Sequence, residues 1–258
     1  MTCRGEDAGE IKTLVHRRVT STNDEARRLL ERGDLQGPAV ILAEVQTGGR
    51  GRGGRRWISP PGGLWMTRVV LPEAPRSRWP LYSLLAGVAA ACAVEKTAGI
   101  RPWLKWPNDL MWGDRKLGGI LCETVGDYMI TGVGINVRVE WPEDACISDP
   151  EPVDLDTAVS GLEDDAGQVI SRLVEELNRQ IDRLDDLFTR DPPSLLTAWR
   201  GYSDMLNRRI RIISPSECFE GVARDVTDEG ALLVETDSGE MRQFFAADVS
   251  LRLGVDGR

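Results

Sequence analysis

Residues 46–57 read Gln-Thr-Gly-Gly-Arg-Gly-Arg-Gly-Gly-Arg-Arg-Trp, five glycines (Gly48, Gly49, Gly51, Gly53, Gly54) set among four arginines (Arg50, Arg52, Arg55, Arg56) and closed by Trp57. Neither helix nor strand suits such a run. Glycine loses more backbone freedom on folding than any other residue, and neighbouring guanidinium groups repel one another. The fold must therefore accommodate a loop here. The run follows an apolar strand candidate, Ala39-Val40-Ile41-Leu42-Ala43, and regular sequence resumes at Gly63-Leu64-Trp65-Met66-Thr67-Arg68-Val69-Val70-Leu71. The loop thus lies inside a domain. A polyanion suits it: bare glycine amides approach closely, guanidinium forks grip oxygens, and the indole offers a stacking face. The competing readings are a flexible linker and an Arg-Gly segment that binds nucleic acid.

Composition narrows these. The 258 residues suit one large domain plus a small one, at roughly 150 residues per domain, and 41% hydrophobic with 28% charged residues implies a soluble globular chain. Net charge is −9, but ten acids fall between Glu140 and Asp165, where Lys and Arg are missing; without those ten the chain would carry +1. Such an acidic block reads as a solvated loop. The absence of a basic face argues against DNA. Five cysteines (Cys3, Cys92, Cys122, Cys146, Cys218) are odd in number and widely spaced, with no CxxC. Neither a zinc site nor a disulfide framework is indicated. No signal peptide is visible, and the longest near-apolar run, Leu81 to Val94, falls short of the ~20 residues a membrane span needs. A reduced, cytoplasmic location without membrane attachment is expected. His16 is the single histidine, so catalysis must run on charge placement, carboxylates or lysine.

Along the chain, residues 11–19 read as a first strand. Thr22 with Glu25 reads as a capping box for a helix that Gly33 ends. Pro80 opens a nearly all-apolar helix ending near Gly99, expected to pack buried on a sheet. Strand candidates Trp103 to Trp106, Leu117 to Thr124 and Tyr128 to Val139 follow, with Gly113-Asp114 and Gly126-Asp127 as type II′ turns of an antiparallel meander. Ile170, Leu173, Val174, Leu177, Ile181, Leu184 and Phe188 share a helix face. Asp191-Pro192-Pro193 ends that helix, and Ser194 caps a short one to about Met205. From Arg208 five short strands read as a small β-barrel, giving domains 1–205 and 206–258.

Lys105-Trp106-Pro107-Asn108-Asp109 places an amide and a carboxylate at a strand end, and a hairpin at Gly113-Asp114 would fold Lys116 back beside Asp109. Read alone, the first is a turn and the lysine is solvated. Gly118 and Gly119 beyond it suggest something flat packed on that strand, and Gly132-Val133-Gly134-Ile135-Asn136-Val137 repeats the hint.

In order, the chain carries Ser21-Thr22-Asn23, Gln46, Gly49-Arg50-Gly51-Arg52-Gly53-Gly54-Arg55-Arg56-Trp57, Lys105-Trp106-Pro107-Asn108-Asp109, Lys116 with Gly118-Gly119-Ile120, and Gly134-Ile135-Asn136-Val137. This ordered set resembles biotin protein ligase (biotin–[acetyl-CoA-carboxylase] ligase) over nearly the whole chain. The resemblance implies an α+β fold: a mixed sheet flanked by helices, of the class II synthetase-like biotin ligase type, with a C-terminal SH3-like β-barrel. Many bacterial members also carry an N-terminal DNA-binding domain. This sequence leaves no room for one before its first strand, so the resemblance is to the monofunctional type. Lipoate–protein ligase, with the same chemistry on a related fold, is the nearest alternative.

The implied reaction has two steps. Biotin's carboxylate attacks the α-phosphorus of ATP, giving biotinyl-5′-AMP and pyrophosphate; a lysine of a biotin carboxyl carrier protein then displaces AMP. The resemblance places Arg50 and Arg52 over carboxylate and phosphates and Lys116 between the carboxylate and α-phosphate. It matches Ser21, Thr22, Asn23, Gln46, Gly49, Gly51, Gly118 and Gly119 to biotin-side positions. Arg55, Asn108 and Asn136 match nucleotide-side positions, with Trp57 stacked on adenine. Mg²⁺ would be held mainly by phosphates, and a homodimer is open. Asp109 is expected to take or orient the proton of the acceptor amine, and residues 48–56 to close over the adenylate.

Overall fold

The computed structural model describes residues 11–142, 150–213, 218–245 and 248–251. Strands β1 (Lys12–Val19) and β2 (Ala39–Gln46) are joined by helix α1 (Thr22–Glu31). A parallel pair needs such a crossover, and β1 and β2 are indeed parallel. β3 (Gly63–Val70) returns antiparallel to β2. After helix α2 (Tyr82–Ala98) come β4 (Trp103–Lys105), β5 (Asp109–Trp112), β6 (Arg115–Val125) and β7 (Tyr128–Asn136), each antiparallel to the next. β7 closes against β3, giving one seven-stranded sheet in the order β1-β2-β3-β7-β6-β5-β4. The expected meander is present, with four strands where the sequence pattern predicts three: β5 is only four residues long and follows directly on the Pro107-Asn108 turn. Two-residue turns at Gly113 (φ 55°) and Gly126 (φ 57°) close its hairpins, each with a positive φ that favours glycine.

The two faces of the sheet have different covers. α2 lies against one face with α4 (Ala166–Arg190) and α5 (Pro192–Tyr202), so its alanine-rich surface is buried almost all round. The segment Arg76–Ala98 is long and apolar enough to cross a membrane, yet it is the core helix of this fold, largely buried. α1 covers part of the other face through Ala26, Leu29 and Leu30, against Ile41, Val69 and Ile130. Two helix starts differ from expectation. Ser21 occupies the N-cap of α1 without a side-chain cap; Thr22 hydrogen-bonds across to β2 instead, and Glu25 pairs with Arg28. Asp191, not Ser194, holds the N-cap position of α5, with Pro192 and Pro193 in its first turn, where a missing N–H costs nothing.

After α3 (Leu155–Ala158) and these two helices come β8 (Arg209–Ile213), β9 (Cys218–Val226), β10 (Leu232–Glu235), β11 (Met241–Phe244) and β12 (Asp248–Leu251). They form a second, antiparallel sheet in the order β11-β10-β9-β8-β12. It is fastened to the first unit by Arg200 with Asp225 (2.6 Å) and by the Trp106 indole N–H donating to the Gly230 carbonyl (3.0 Å). Residues 143–149 of the acidic block lie outside the described residues. The far end of the block adds a short bridge to β6: Lys116 N–H donates to Glu151 O at 2.7 Å, and Val153 N–H to Lys116 O at 2.9 Å.

Candidate active site

A cavity of about 550 Å³ opens on the sheet face that α1 leaves uncovered. Its floor is made by glycines. Gly119 and Gly134 are register partners on β6 and β7, and the Trp57 indole lies over both: a Cβ at Gly134 would stand 2.9 Å from Trp57 Nε1, and one at Gly119 would stand 3.3 Å from Cζ3. Gly132, on the same face, leaves room for Asn23, whose Oδ1 would lie 2.5 Å from an added Cβ. The flat object packed on these glycines is thus the chain's own tryptophan, held edge-on by Trp65 at 6.4 Å between centroids. One side of the indole is thereby covered by the sheet. Gly118 faces away, its Cβ position 2.5 Å from the Gly134 carbonyl oxygen, and it does not line the cavity.

The loop that carries Trp57 is folded as an irregular hairpin. Trp57 N–H donates to Gly49 O at 2.8 Å and Gly51 N–H to Arg55 O at 2.7 Å. Gly49 sits behind the lining, where a Cβ would meet the Trp57 carbonyl oxygen at 2.5 Å. Arg50, Arg52, Arg55 and Arg56 line the cavity with Lys105 and Lys116, and Asp109 is the single acid among the described lining residues. The lining cations outnumber the lining acid and make a site for an anion, although the Arg50 guanidinium is already paired with Glu123 and Asp24.

Lys116 reaches this face through a β-bulge. Asp109 pairs with Gly119 and Leu110 with Gly118, but Met111 pairs with Lys116, skipping Leu117. In a regular strand residues 116 and 119 point to opposite faces; the bulge turns Lys116 back to the side of Gly119. Its Nζ then meets Asp109 Oδ1 at 2.5 Å and stands 5.3 Å from the Trp57 ring centroid. Lys105 Nζ approaches Asp109 Oδ2 at 4.0 Å. Asn108 is fixed by β6, its Nδ2 donating to Ile120 O at 2.8 Å, and its Oδ1 lies 3.5 Å from Arg52 Nη1. Asn136 is buried behind Lys116, donating to the carbonyls of Lys116 and Val153 at 3.2 and 2.9 Å.

The other end of the cavity is neutral and polar. Gln46 Oε1 accepts from the Thr22 N–H (2.8 Å) and the Thr22 hydroxyl (3.1 Å), and Gln46 Nε2 donates to Ser59 Oγ (2.8 Å). The Thr67 hydroxyl donates to Asn23 Oδ1 at 2.6 Å. Ser21, Thr22 and Asn23 are all buried here at the start of α1. Buried polar atoms without partners are rare. Of the seven such side-chain atoms among the described residues, Arg50 Nε and Trp57 Nε1 belong to residues that line this cavity, and Asn136 Oδ1 lies behind Lys116. Among the described residues no group of three His, Cys, Asp or Glu is placed to hold a metal ion.

Residues 15–144 match the model of the biotin/lipoate A/B protein ligase family, and residues 205–252 match the biotin protein ligase C-terminal domain. The biotin–[acetyl-CoA-carboxylase] ligase of Mycobacterium tuberculosis is 33% identical over 239 residues, spanning 90% of this chain and 86% of its own. The chain belongs to the biotin/lipoate A/B protein ligase family. The bifunctional ligase/repressor BirA of Bacillus subtilis is 32% identical to this ligase over 247 residues, 92% of the chain and 73% of the relative. The fold agrees with that of a biotin protein ligase from Aquifex aeolicus solved with biotin and ATP: TM-score 0.77, 23% identity, 93% of this chain and 98% of the other.

Sequence reasoning missed several residues that build the site of this ligase. Thr67, Ser59 and Leu121 carry no motif. Glu123 and Asp24, which hold the Arg50 guanidinium, lie 73 and 26 positions from it. Ile213 and Val249 of the second sheet also line the cavity mouth. Only the alternation of β6 around Gly119 could have flagged Leu121 and Glu123.

Proposed function

We propose that this ligase activates biotin with ATP to biotinyl-5′-AMP and transfers the biotinyl group to a lysine of a biotin carboxyl carrier protein or domain. The observation that carries the reading is the division of one cavity into two ends. At one end Lys105 and Lys116 flank Asp109, Lys116 faces the Trp57 indole and Arg52 reaches Asn108; at the other Ser21, Thr22, Asn23 and Gln46 present neutral donors and acceptors at the start of α1. A vitamin with a ureido ring and a carboxylate, joined to a nucleotide, has that same polarity.

In the first step a carboxylate oxygen attacks the α-phosphorus and the bond to pyrophosphate breaks. Two anions must meet, so positioning and positive charge do the work. Lys116, already turned into the cavity beside Asp109, is the group between them, with Arg52 and Arg55 on the phosphate side. Ser21, Thr22, Asn23 and Gln46 face the ureido ring, whose carbonyl and N–H groups need partners once buried. The free face of Trp57 takes adenine. In the second step the acceptor amine attacks the anhydride carbonyl and AMP leaves. A free lysine of pKa ~10.4 is rarely neutral near pH 7, and Asp109 is positioned to receive or orient its proton.

Magnesium fits as part of the nucleotide substrate. Among the described residues the one lining carboxylate is engaged by Lys116, and this donor set does not make a resident metal site. The domain division falls at 205/206, the second sheet being SH3-like. A cytoplasmic location accords with three free cysteines among the described residues. Incubation with MgATP and either biotin or lipoate, followed by mass detection of the adenylate, tests the substrate. Biotinyl-AMP is expected; lipoyl-AMP in its place would overturn the reading.

A further inference from the structure

Arg50 lines the cavity, yet its guanidinium is occupied by the protein. Nη1 and Nη2 donate to Glu123 Oε1 and Oε2 at 3.1 and 3.0 Å, a two-point fork, and Nη2 meets Asp24 Oδ1 at 2.6 Å. Glu123 is itself held in place. Asn23 Nδ2 donates to its Oε2 at 2.8 Å, and Arg27 Nη2 approaches its Oε1 at 3.3 Å. Asn23 is buried and fixed in turn by Thr67 and by the Leu121 carbonyl. One arginine therefore ties the Gly-Arg loop to both α1 and β6. At the tip of the loop Gly53 and Gly54 adopt positive φ with open space around them.

Two ionised acceptors on one guanidinium also change what Arg50 can do. Its terminal nitrogens face carboxylates, so they are poor grips for a substrate anion, and Nε is buried without a partner. Burial raises the Glu123 carboxyl, but the hydrogen bonds from Arg50 and Asn23 outweigh it, holding Glu123 below its ordinary range. The fork from Glu123 raises Arg50 correspondingly.

We propose that Glu123, assisted by Asp24, is the anchor of the Gly-Arg loop: a positioning residue that acts through Arg50 to keep the loop over the cavity and so sets how long the adenylate is retained. The ligand in this statement rests on the function proposed above; the anchor itself is tested without any ligand. The loop is rich in trypsin sites, so ligand-free protein is digested and the early cuts are mapped by mass spectrometry. In Glu123→Gln, cleavage after Arg52, Arg55 or Arg56 is expected to rise about fivefold, and in Asp24→Asn about twofold, for weakened charge-assisted hydrogen bonds at a partly exposed site. Cleavage elsewhere stays at the wild-type rate, whereas a general structural role would raise it throughout. The Asp24 side chain is 40% exposed, so that variant decides the matter if Glu123→Gln fails to fold. Wild-type cutting of the loop in folded Glu123→Gln, or in Asp24→Asn where that variant must decide, overturns the anchor. In a second arm the proteins are incubated with biotin and MgATP and passed through a desalting column. Glu123→Gln is expected to lose a larger share of adenylate to the solution; equal retention also overturns the proposal. A wild-type protein that makes no adenylate overturns the functional reading instead, while the proteolysis arm still decides the anchor.

Discussion

Substituting Gly134 by alanine separates what Trp57 does for the ligand from what the sheet does for the fold. The new Cβ would stand 2.9, 3.0 and 3.1 Å from Trp57 Nε1, Cε2 and Cζ2. Comfortable carbon contacts are about 3.5–4.0 Å, so the ring must retreat by roughly half an ångström or more. It cannot slide freely, with Trp65 edge-on on one side and Lys116 facing the ring. It can lift, because a glycine-rich loop carries it. Overpacking of this kind costs about 1–3 kcal/mol. Since a loop side chain yields rather than the strand, that cost falls on the geometry of the nucleotide site. kcat/KM for ATP in adenylate formation is expected to drop about tenfold to a hundredfold, each factor of ten being about 1.4 kcal/mol. The melting temperature should move by only a few degrees. Gly118→Ala is the control from the same motif. Its Cβ would lie 2.5 Å from the Gly134 carbonyl oxygen, which is backbone and cannot yield. It should lower the melting temperature by roughly 5 °C or more, with a smaller effect on the ATP dependence of what remains folded. An unchanged kcat/KM for ATP in Gly134→Ala would refute the placement of adenine on Trp57. A selective ATP defect in Gly118→Ala at wild-type stability would refute the assignment of the two faces.

Lys116→Ala should slow adenylate formation about a hundredfold to a thousandfold, as for removal of a preorganised group at developing charge, measured in single turnover. Asp109→Asn should slow transfer from preformed adenylate to the acceptor lysine; if neither adenylation nor transfer slows, Asp109 is a structural carboxylate only. Amide exchange in residues 48–56 should slow on addition of biotin and ATP, and equal protection in both states would remove loop closure from the account. The Glu123 carboxyl is depressed in the fold by Arg50 and Asn23, with Arg27 adding its charge, so its contribution to stability is present above about pH 4.5 and lost as pH falls through its lower folded value. The melting-temperature gap between wild type and Glu123→Gln should therefore narrow as pH drops below that value; a gap constant down to acid pH would contradict it.

Local rules carried the sequence reading far. Turn glycines at 113 and 126, the apolar stripe of α4 and the absence of a long helix or strand in residues 48–56 each follow from neighbours in the chain. They placed the loop, the meander and the C-terminal strands. What was lost depends on register and on distant partners. Thr22 with Glu25 satisfied a helix-start pattern, yet tertiary hydrogen bonding to Gln46 took the hydroxyl. Gly118 and Gly119 looked equivalent, but only register with β7 decides which one meets Trp57. The bulge between Leu110 and Met111, which turns Lys116 toward Asp109, leaves no mark in composition. The acids that hold Arg50 come from α1 and β6, and no spacing rule joins residues 24, 50 and 123.

The central claim is that this cavity brings a carboxylate and a triphosphate together and holds the product. Exchange of labelled pyrophosphate into ATP reads that step alone, without an acceptor protein. The purified chain with MgATP is predicted to show exchange that depends on biotin and is lost in Lys116→Ala. Biotin-independent exchange, or none at any biotin concentration, would contradict the account.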